Sequence, residues 1–165
     1  MIIGVSSNIR MTVIEDEFIM RIKKAINNKK TYIDLLLLAD EKESMIDKYL
    51  ERGEMFILEE EGVIAECVVT KEDEGKYEIK NIAVLPIYQR KGYGKILIDY
   101  LFSYYRDCKE MYVGTGDVPS AIGFYNKCGF VESHRIKDFF VKNYDFPIYD
   151  NGIQLVDMVY LKRQK

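Results

Sequence analysis

Seven residues, Gln89-Arg90-Lys91-Gly92-Tyr93-Gly94-Lys95, join a strand-like run that ends at Pro86 to a helix-like run that begins near Gly92. Two glycines one residue apart let the backbone turn tightly and expose its N–H groups. The helix start adds unpaired donors and the positive end of the helix dipole. Arg90, Lys91 and Lys95 add cationic charge. Such a segment suits a pyrophosphate cradle; the plainer alternative is a surface turn with solvated lysines. Two other nucleotide motifs fit poorly. A Walker loop needs two glycines four residues apart followed by Lys and Ser/Thr, and a dinucleotide fingerprint needs a third glycine where Leu97 stands.

The pattern around this segment alternates between helix and strand. Phe18, Ile19, Ile22 and Ile26 recur at helical spacing, and a second helix is expected from about Glu41 to Glu51, with Asp40 and Glu43 resembling a capping box and Gly53 as a stop. Strands are expected at Met55–Leu58, Val63–Thr70 and Tyr77–Leu85. In the third, the apolar residues fall on odd numbers through Ile79 and the alternation is then lost, so the pattern slips near Asn81 as at a β-bulge. A helix with the stripe Leu97, Tyr100, Leu101, Tyr104 follows, then a short strand at Met111–Gly114. The next helix runs from Pro119, at a favourable first position, to Lys127, and Gly129 ends it. A strand near Phe130–Ile136, an aromatic connection and a last strand from Ile153 to Leu161 complete the chain. This order predicts an α/β (α+β) fold, one domain over residues 1–165, with a mixed sheet and flanking helices.

Composition excludes several classes. Of 165 residues, 48% are apolar and 31% charged, which describes a globular chain with a real core. The net charge of -3 gives no global attraction for nucleic acid or anionic lipid. The most apolar run, Leu35–Ala39, is too short to span a bilayer, so neither nucleic acid nor a membrane is an expected partner and a cytoplasmic protein is expected. Cys67, Cys108 and Cys128 are odd in number and widely spaced, against a disulfide framework. Cys67 and Cys128 read as small buried hydrophobes, and with one histidine, His134, no metal site is expected.

The run Gln-x-x-Gly-x-Gly after Ile82-Ala83-Val84 resembles the acetyl-CoA signature of the GNAT superfamily of acetyltransferases. The later Gly123-Phe124-Tyr125-Asn126-Lys127-Cys128-Gly129-Phe130 is similar to its second motif, Phe-Tyr-x-Lys-x-Gly-Phe. The resemblance is close over Tyr77–Phe130. It departs at Val118, where many members carry a CoA-contacting asparagine; Asp117 and Ser120 lie beside it.

The resemblance implies a mostly antiparallel sheet with a V-shaped cofactor cleft, and transfer of an acetyl group from acetyl-CoA to an amine. Pantetheine would pair with the backbone of Ile82 and Val84. The pyrophosphate would rest on Gln89, Arg90, Lys91, Gly92, Tyr93, Gly94 and Lys95. The bulge would aim an N–H, with Ala83 the nearest candidate, at the thioester oxygen. Tyr125 matches the tyrosine beside the CoA sulfur and would supply its proton; the other reading is core filling. Glu78 is the leading base and Glu66 the second, because it interrupts an apolar strand. For Glu78 the alternative is pairing with Lys76 or Lys80, and for His134 a structural or exposed role. The aromatic connection Phe139–Gly152 either shapes the acceptor site, covers the sheet or pairs two copies as a homodimer. A catalytically silent acyl-CoA-binding or regulatory module stays open beside the enzyme.

Overall fold

A computed structural model describes residues 19–165. Strand β1 (Arg21–Ala25) leads through a 3₁₀ turn (Lys29–Tyr32) into α1 (Ile33–Leu36), and α2 (Glu43–Ile46) follows. Strands β2 (Glu54–Glu59), β3 (Val63–Asp73) and β4 (Lys76–Val84) precede α3 (Tyr93–Tyr104). Then come β5 (Glu110–Gly116), α4 (Pro119–Lys127), β6 (Val131–Ile136) and α5 (Phe139–Asn143). A small hairpin, β7 (Tyr149–Asp150) and β8 (Ile153–Gln154), precedes β9 (Met158–Gln164). Seven strands form one sheet in the order β1-β2-β3-β4-β5-β9-β6, antiparallel throughout except for the β4–β5 pair.

Both faces of this sheet are covered, which explains why β2 and β3 read as nearly continuous apolar runs. Phe56, Leu58, Ala65, Cys67 and Val69 pack with Leu97, Ile98 and Leu101 of α3 and with Tyr125 of α4. The intervening Met55, Ile57 and Val68 pack instead with Leu36, Ile46, Tyr49 and Leu50. All three cysteines are buried and unbridged.

The slip near Asn81 is a β-bulge. Val69 stands opposite Ile79 and Val68 opposite Asn81, so Lys80 is the extra residue. The parity of the strand reverses there. Tyr77 and Ile79 join the α3-side core before the bulge, and Ile82 and Val84 pack against it after the bulge. Asn81 turns to the other face, where its Nδ2 donates to the Leu36 carbonyl at 3.0 Å and the Tyr49 hydroxyl at 2.9 Å.

The bulge also ends the parallel pairing. β4 and β5 are in register from Lys76↔Glu110 to Ile79↔Val113 and no further. Beyond that point Gly114, Thr115 and Gly116 pair only with β9. The two central strands therefore part, and a V-shaped opening lies between Ile82–Val84 and Gly114–Gly116.

Three expectations need correction. The helix over Phe18–Ile26 is a strand from Arg21 to Ala25, and Phe18 lies outside the described residues. Ile22 packs against the core from β1, while Ile26 lies just past the strand and is exposed, so their spacing of four does not mark a helix face. The helix at Glu41–Glu51 is regular only over Glu43–Ile46, and its N-cap, Lys42, has no side-chain cap. The single strand at Ile153–Leu161 is divided between β8 and β9. The helical turns at Lys29–Leu36 were not expected at all.

Candidate active site

The Gln89–Lys95 segment leaves β4 through the 3₁₀ turn Pro86–Tyr88, and Gln89 ties back by donating Nε2 to the Val84 carbonyl at 3.0 Å. Arg90 (φ 61°) and Gly92 (φ 91°) are both left-handed, and Gly92 is the N-cap of α3. This aims the amides of the first helical turn outward with no intrahelical acceptor. Lys91 lies over the Tyr88 ring at 5.6 Å, and Lys95 is ion-paired with Asp99. The two glycines differ in purpose. A Cβ on Gly92 would meet nothing within 4 Å, so the space beside it is open to a ligand. A Cβ on Gly94 would lie 2.9 Å from Phe124 Cζ, so that glycine admits the α4 side chain against α3.

Register fixes which β4 amides face the opening. Leu85 N–H donates to the Ile64 carbonyl at 2.9 Å, which makes Leu85–Ile64 a hydrogen-bonded pair. Bonded and non-bonded pairs alternate along an antiparallel ladder. Ala83–Glu66 is then bonded, while Ile82–Cys67 and Val84–Ala65 are not. The Ile82 and Val84 peptide groups thus point into the opening. The Ala83 N–H points to β3, which removes it as the oxyanion donor.

Tyr125 stands on α4, which begins at Pro119 with Val118 as an extended, buried N-cap lacking a side-chain cap. Its ring is 8% exposed and lies 5.9 Å from Phe130 and 5.0 Å from Phe124. Burial pushes its phenol above the ordinary range, so the hydroxyl keeps its proton. Tyr125, Ile82, Asn81 and Gly116 line a cavity of about 290 Å³ in the opening, which reaches Asp40 and Tyr144 at its far end.

A second cavity, of about 260 Å³, adjoins the first at Asp40, Lys80, Gly114 and Tyr144. Glu78 lines this second cavity only. Its Oε1 accepts from Lys80 Nζ at 2.8 Å and from the Tyr160 hydroxyl at 3.0 Å.

Glu66 lines neither cavity. It is wholly buried, and neither of its carboxyl oxygens has a partner among the described residues. Burial raises its pKa well above the ordinary carboxylate value; the Ala83 amide acts in the opposite direction, from outside hydrogen-bond geometry. His134 is exposed on β6, stacked on Tyr160 at 4.8 Å, and also lines neither cavity.

Comparison with known proteins identifies the family. Residues 51–132 match the acetyltransferase (GNAT) domain. An uncharacterised N-acetyltransferase of Bacillus subtilis, YvbK, is 36% identical over 146 residues, 86% of this chain and 94% of the relative. This chain belongs to the GNAT acetyltransferase family. A GNAT family acetyltransferase of Elizabethkingia anophelis solved with acetyl-CoA bound is 33% identical, with a TM-score of 0.84, over 88% of this chain and 98% of that one. A Bacillus subtilis acetyltransferase solved in complex with CoA is 35% identical, with a TM-score of 0.81, over 88% and 99%.

Within this GNAT fold Ile82 and Tyr125 line the opening, Val84 and the α4 residue Phe124 meet the Gln89–Lys95 turn at Gly94, and Glu78 stands in the adjoining cavity. Val118 presents no polar side chain where many members have asparagine. Ser120 accepts a hydrogen bond from Asn151 of the β7–β8 turn at 3.0 Å, and Asp117 pairs with Arg135 at 2.5 Å.

Sequence reasoning missed Asp40. Read as a helix cap, it instead lines both cavities and accepts hydrogen bonds from Tyr144 at 2.8 Å and Tyr49 at 3.5 Å. Its one local signal is a carboxylate that directly follows the apolar run Leu35–Ala39.

Proposed function

We propose that this chain transfers the acetyl group of acetyl-CoA to a primary amine of a small molecule or peptide, by direct attack of the amine on the thioester. The observation that carries the reading is the parting of β4 from β5 after Ile79 and Val113, with Tyr125 on the wall of the resulting opening. The acetyl-CoA and CoA named for the two solved GNAT relatives support the choice of donor.

Pantetheine would add as a strand to the open edge of β4 at Ile82 and Val84. The pyrophosphate would lie on the amides of the α3 first turn, beside Gly92 and within reach of Arg90 and Lys91. The Ile82 N–H, nearer the apex of the V, takes the oxyanion role expected of Ala83. One such donor is worth roughly 10²–10³ in rate. The amine attacks the carbonyl carbon, the C–S bond breaks, and Tyr125 gives its proton to the departing sulfur. Burial suits Tyr125 to this role, because a thiolate in low dielectric is costly and a protonated phenol relieves it. A carboxylate on the acceptor side takes the amine's proton. Glu78 is one such group, acting across the boundary between the cavities.

Tyr125→Phe keeps the ring and its packing. It should lower kcat by roughly 10- to 1000-fold in an acetyl-CoA thiol-release assay, while acetyl-CoA affinity changes little. Full turnover in a less stable variant would make Tyr125 a core residue. Loss of acetyl-CoA binding together with turnover would make it part of the cofactor grip.

A further inference from the structure

Asp40 makes no ion pair among the described residues. Three lysines stand near it and none is bonded to it. Lys42 pairs with Asp145 at 2.7 Å, Lys80 pairs with Glu78 at 2.8 Å, and Lys48 contacts the Met45 sulfur at 3.0 Å. The partners of the carboxylate are neutral: the Tyr144 hydroxyl at 2.8 Å and the Lys42 amide at 3.4 Å on Oδ1, and the Tyr49 hydroxyl at 3.5 Å on Oδ2. A carboxylate offers about four acceptor sites, so among the described residues one stays open on Oδ2. A partly buried carboxylate with no ion-pair partner costs stability that a cationic ligand would relieve.

Its position gives the open site a use. Asp40 is the carboxylate common to both cavities, and the first of them also holds Tyr125. A hydrogen-bonded chain fixes it there. Asn81, the residue after the bulge, donates Nδ2 to the Tyr49 hydroxyl at 2.9 Å, and Tyr49 donates to Asp40. The strand feature that opens the cleft is thereby tied to the carboxylate at its end.

We infer that Asp40 is a catalytic residue that binds the acceptor as an aliphatic ammonium and takes its proton. The inference rests on the transferase reading above and assigns the base within it to Asp40 in place of Glu78, which is held by Lys80 and Tyr160. One proton passes from the ammonium nitrogen to Asp40 Oδ2, and the freed lone pair forms the N–C bond to the thioester carbonyl. On collapse the C–S bond breaks and the sulfur takes the Tyr125 proton. The acylated nitrogen returns a proton to the Tyr125 phenolate, and Asp40 gives its own to water. Amide, CoA thiol and one proton are the products. Tyr144 and Tyr49 are positioning residues.

Burial raises the Asp40 pKa, and the hydrogen bonds from Tyr144, the Lys42 amide and Tyr49, together with the nearby Lys48 charge, partly offset that rise. The charged and titratable groups around it are Glu41 and Lys42 on its own segment, Lys48, Tyr49 and Arg52 after α2, Glu78 and Lys80 on β4, Tyr125 on α4, Tyr144 after α5, Tyr149 and Asp150 on β7, and Tyr160 on β9. None of these pairs with Asp40 as a cation.

The test compares wild type, Asp40→Asn and Tyr144→Phe, with alkylamines and a weakly basic arylamine, from about pH 6 to about pH 10. Asp40→Asn should lower kcat/KM for alkylamines roughly 100-fold near neutrality. The loss should shrink as pH rises and free amine accumulates, and should be small for the arylamine, which is already neutral. Tyr144→Phe removes a bond that favours the charged carboxylate, so the acid limb of its kcat/KM profile should move to higher pH. A purely structural tyrosine would leave that limb in place, and Tyr144→Phe serves should Asp40→Asn fold poorly. An Asp40→Asn variant within about threefold of wild type, or equally impaired at every pH, overturns the assignment while leaving the transferase reading intact. Wild type that binds acetyl-CoA but releases no thiol with any amine sinks both.

Discussion

Replacing Gly94 by valine tests whether this glycine serves α3–α4 packing. The Cβ would lie 2.9 Å from Phe124 Cζ and 3.3 Å from Cε2. Carbon atoms prefer roughly 3.5–4.0 Å, so the Phe124 ring must give way by about half an ångström or more. Valine adds two further methyls at the same place. The ring cannot retreat freely, because it packs against the main core and makes an edge contact with Tyr125 at 5.0 Å. Overpacking of this kind costs about 1–3 kcal/mol, and valine belongs at the upper part of that range. For a chain of this size each kcal/mol is worth about 2–4 °C, so the melting temperature should fall by roughly 4–12 °C. Thermal melting by circular dichroism measures the loss, and kcat on the folded protein should fall with it as Tyr125 is displaced. A melting temperature within about 1 °C of wild type would refute the packing argument and return Gly94 to the cofactor turn alone.

Two further outcomes follow from buried and strained positions. Gly92→Ala meets no neighbour but must hold φ 91°, so it should cost about 1–2 kcal/mol in stability and weaken acetyl-CoA binding by several-fold; unchanged affinity by calorimetry would move the pyrophosphate elsewhere. Glu66 has a folded-state pKa above its unfolded one, so its contribution is fully present below the unfolded value and is lost as pH rises through the folded value. Glu66→Gln has no such dependence, and its melting temperature relative to wild type should rise between about pH 5 and about pH 8; an equal difference at both would contradict a protonated, buried Glu66.

Local pattern was enough where the physics is local. The loss of alternation at Asn81 is the bulge itself, since one extra residue reverses the side-chain parity. The glycine-rich turn and the helix bearing Tyr125 announce themselves through backbone freedom and capping. The parts that were not legible depend on partners distant in sequence. Asp40 receives its shortest hydrogen bond from Tyr144, 104 residues away, and Glu78 is held by Tyr160, 82 residues away. The direction of the Ala83 amide depends on the phase of the β3–β4 ladder, which residue identity does not encode. Ile22 fits a helix pattern and a strand pattern equally, and its pairing with Leu58 of β2 decides for the strand.

The central claim is acetyl transfer in the opening between β4 and β5, and the most direct measurement is mass spectrometry of an alkylamine panel incubated with acetyl-CoA and the protein. An amine should gain one acetyl group in step with CoA thiol release, and both should fall together by roughly 10- to 1000-fold in Tyr125→Phe. Acetyl-CoA binding with no acetylated product across the panel would contradict it and leave an acyl-CoA-binding module in its place.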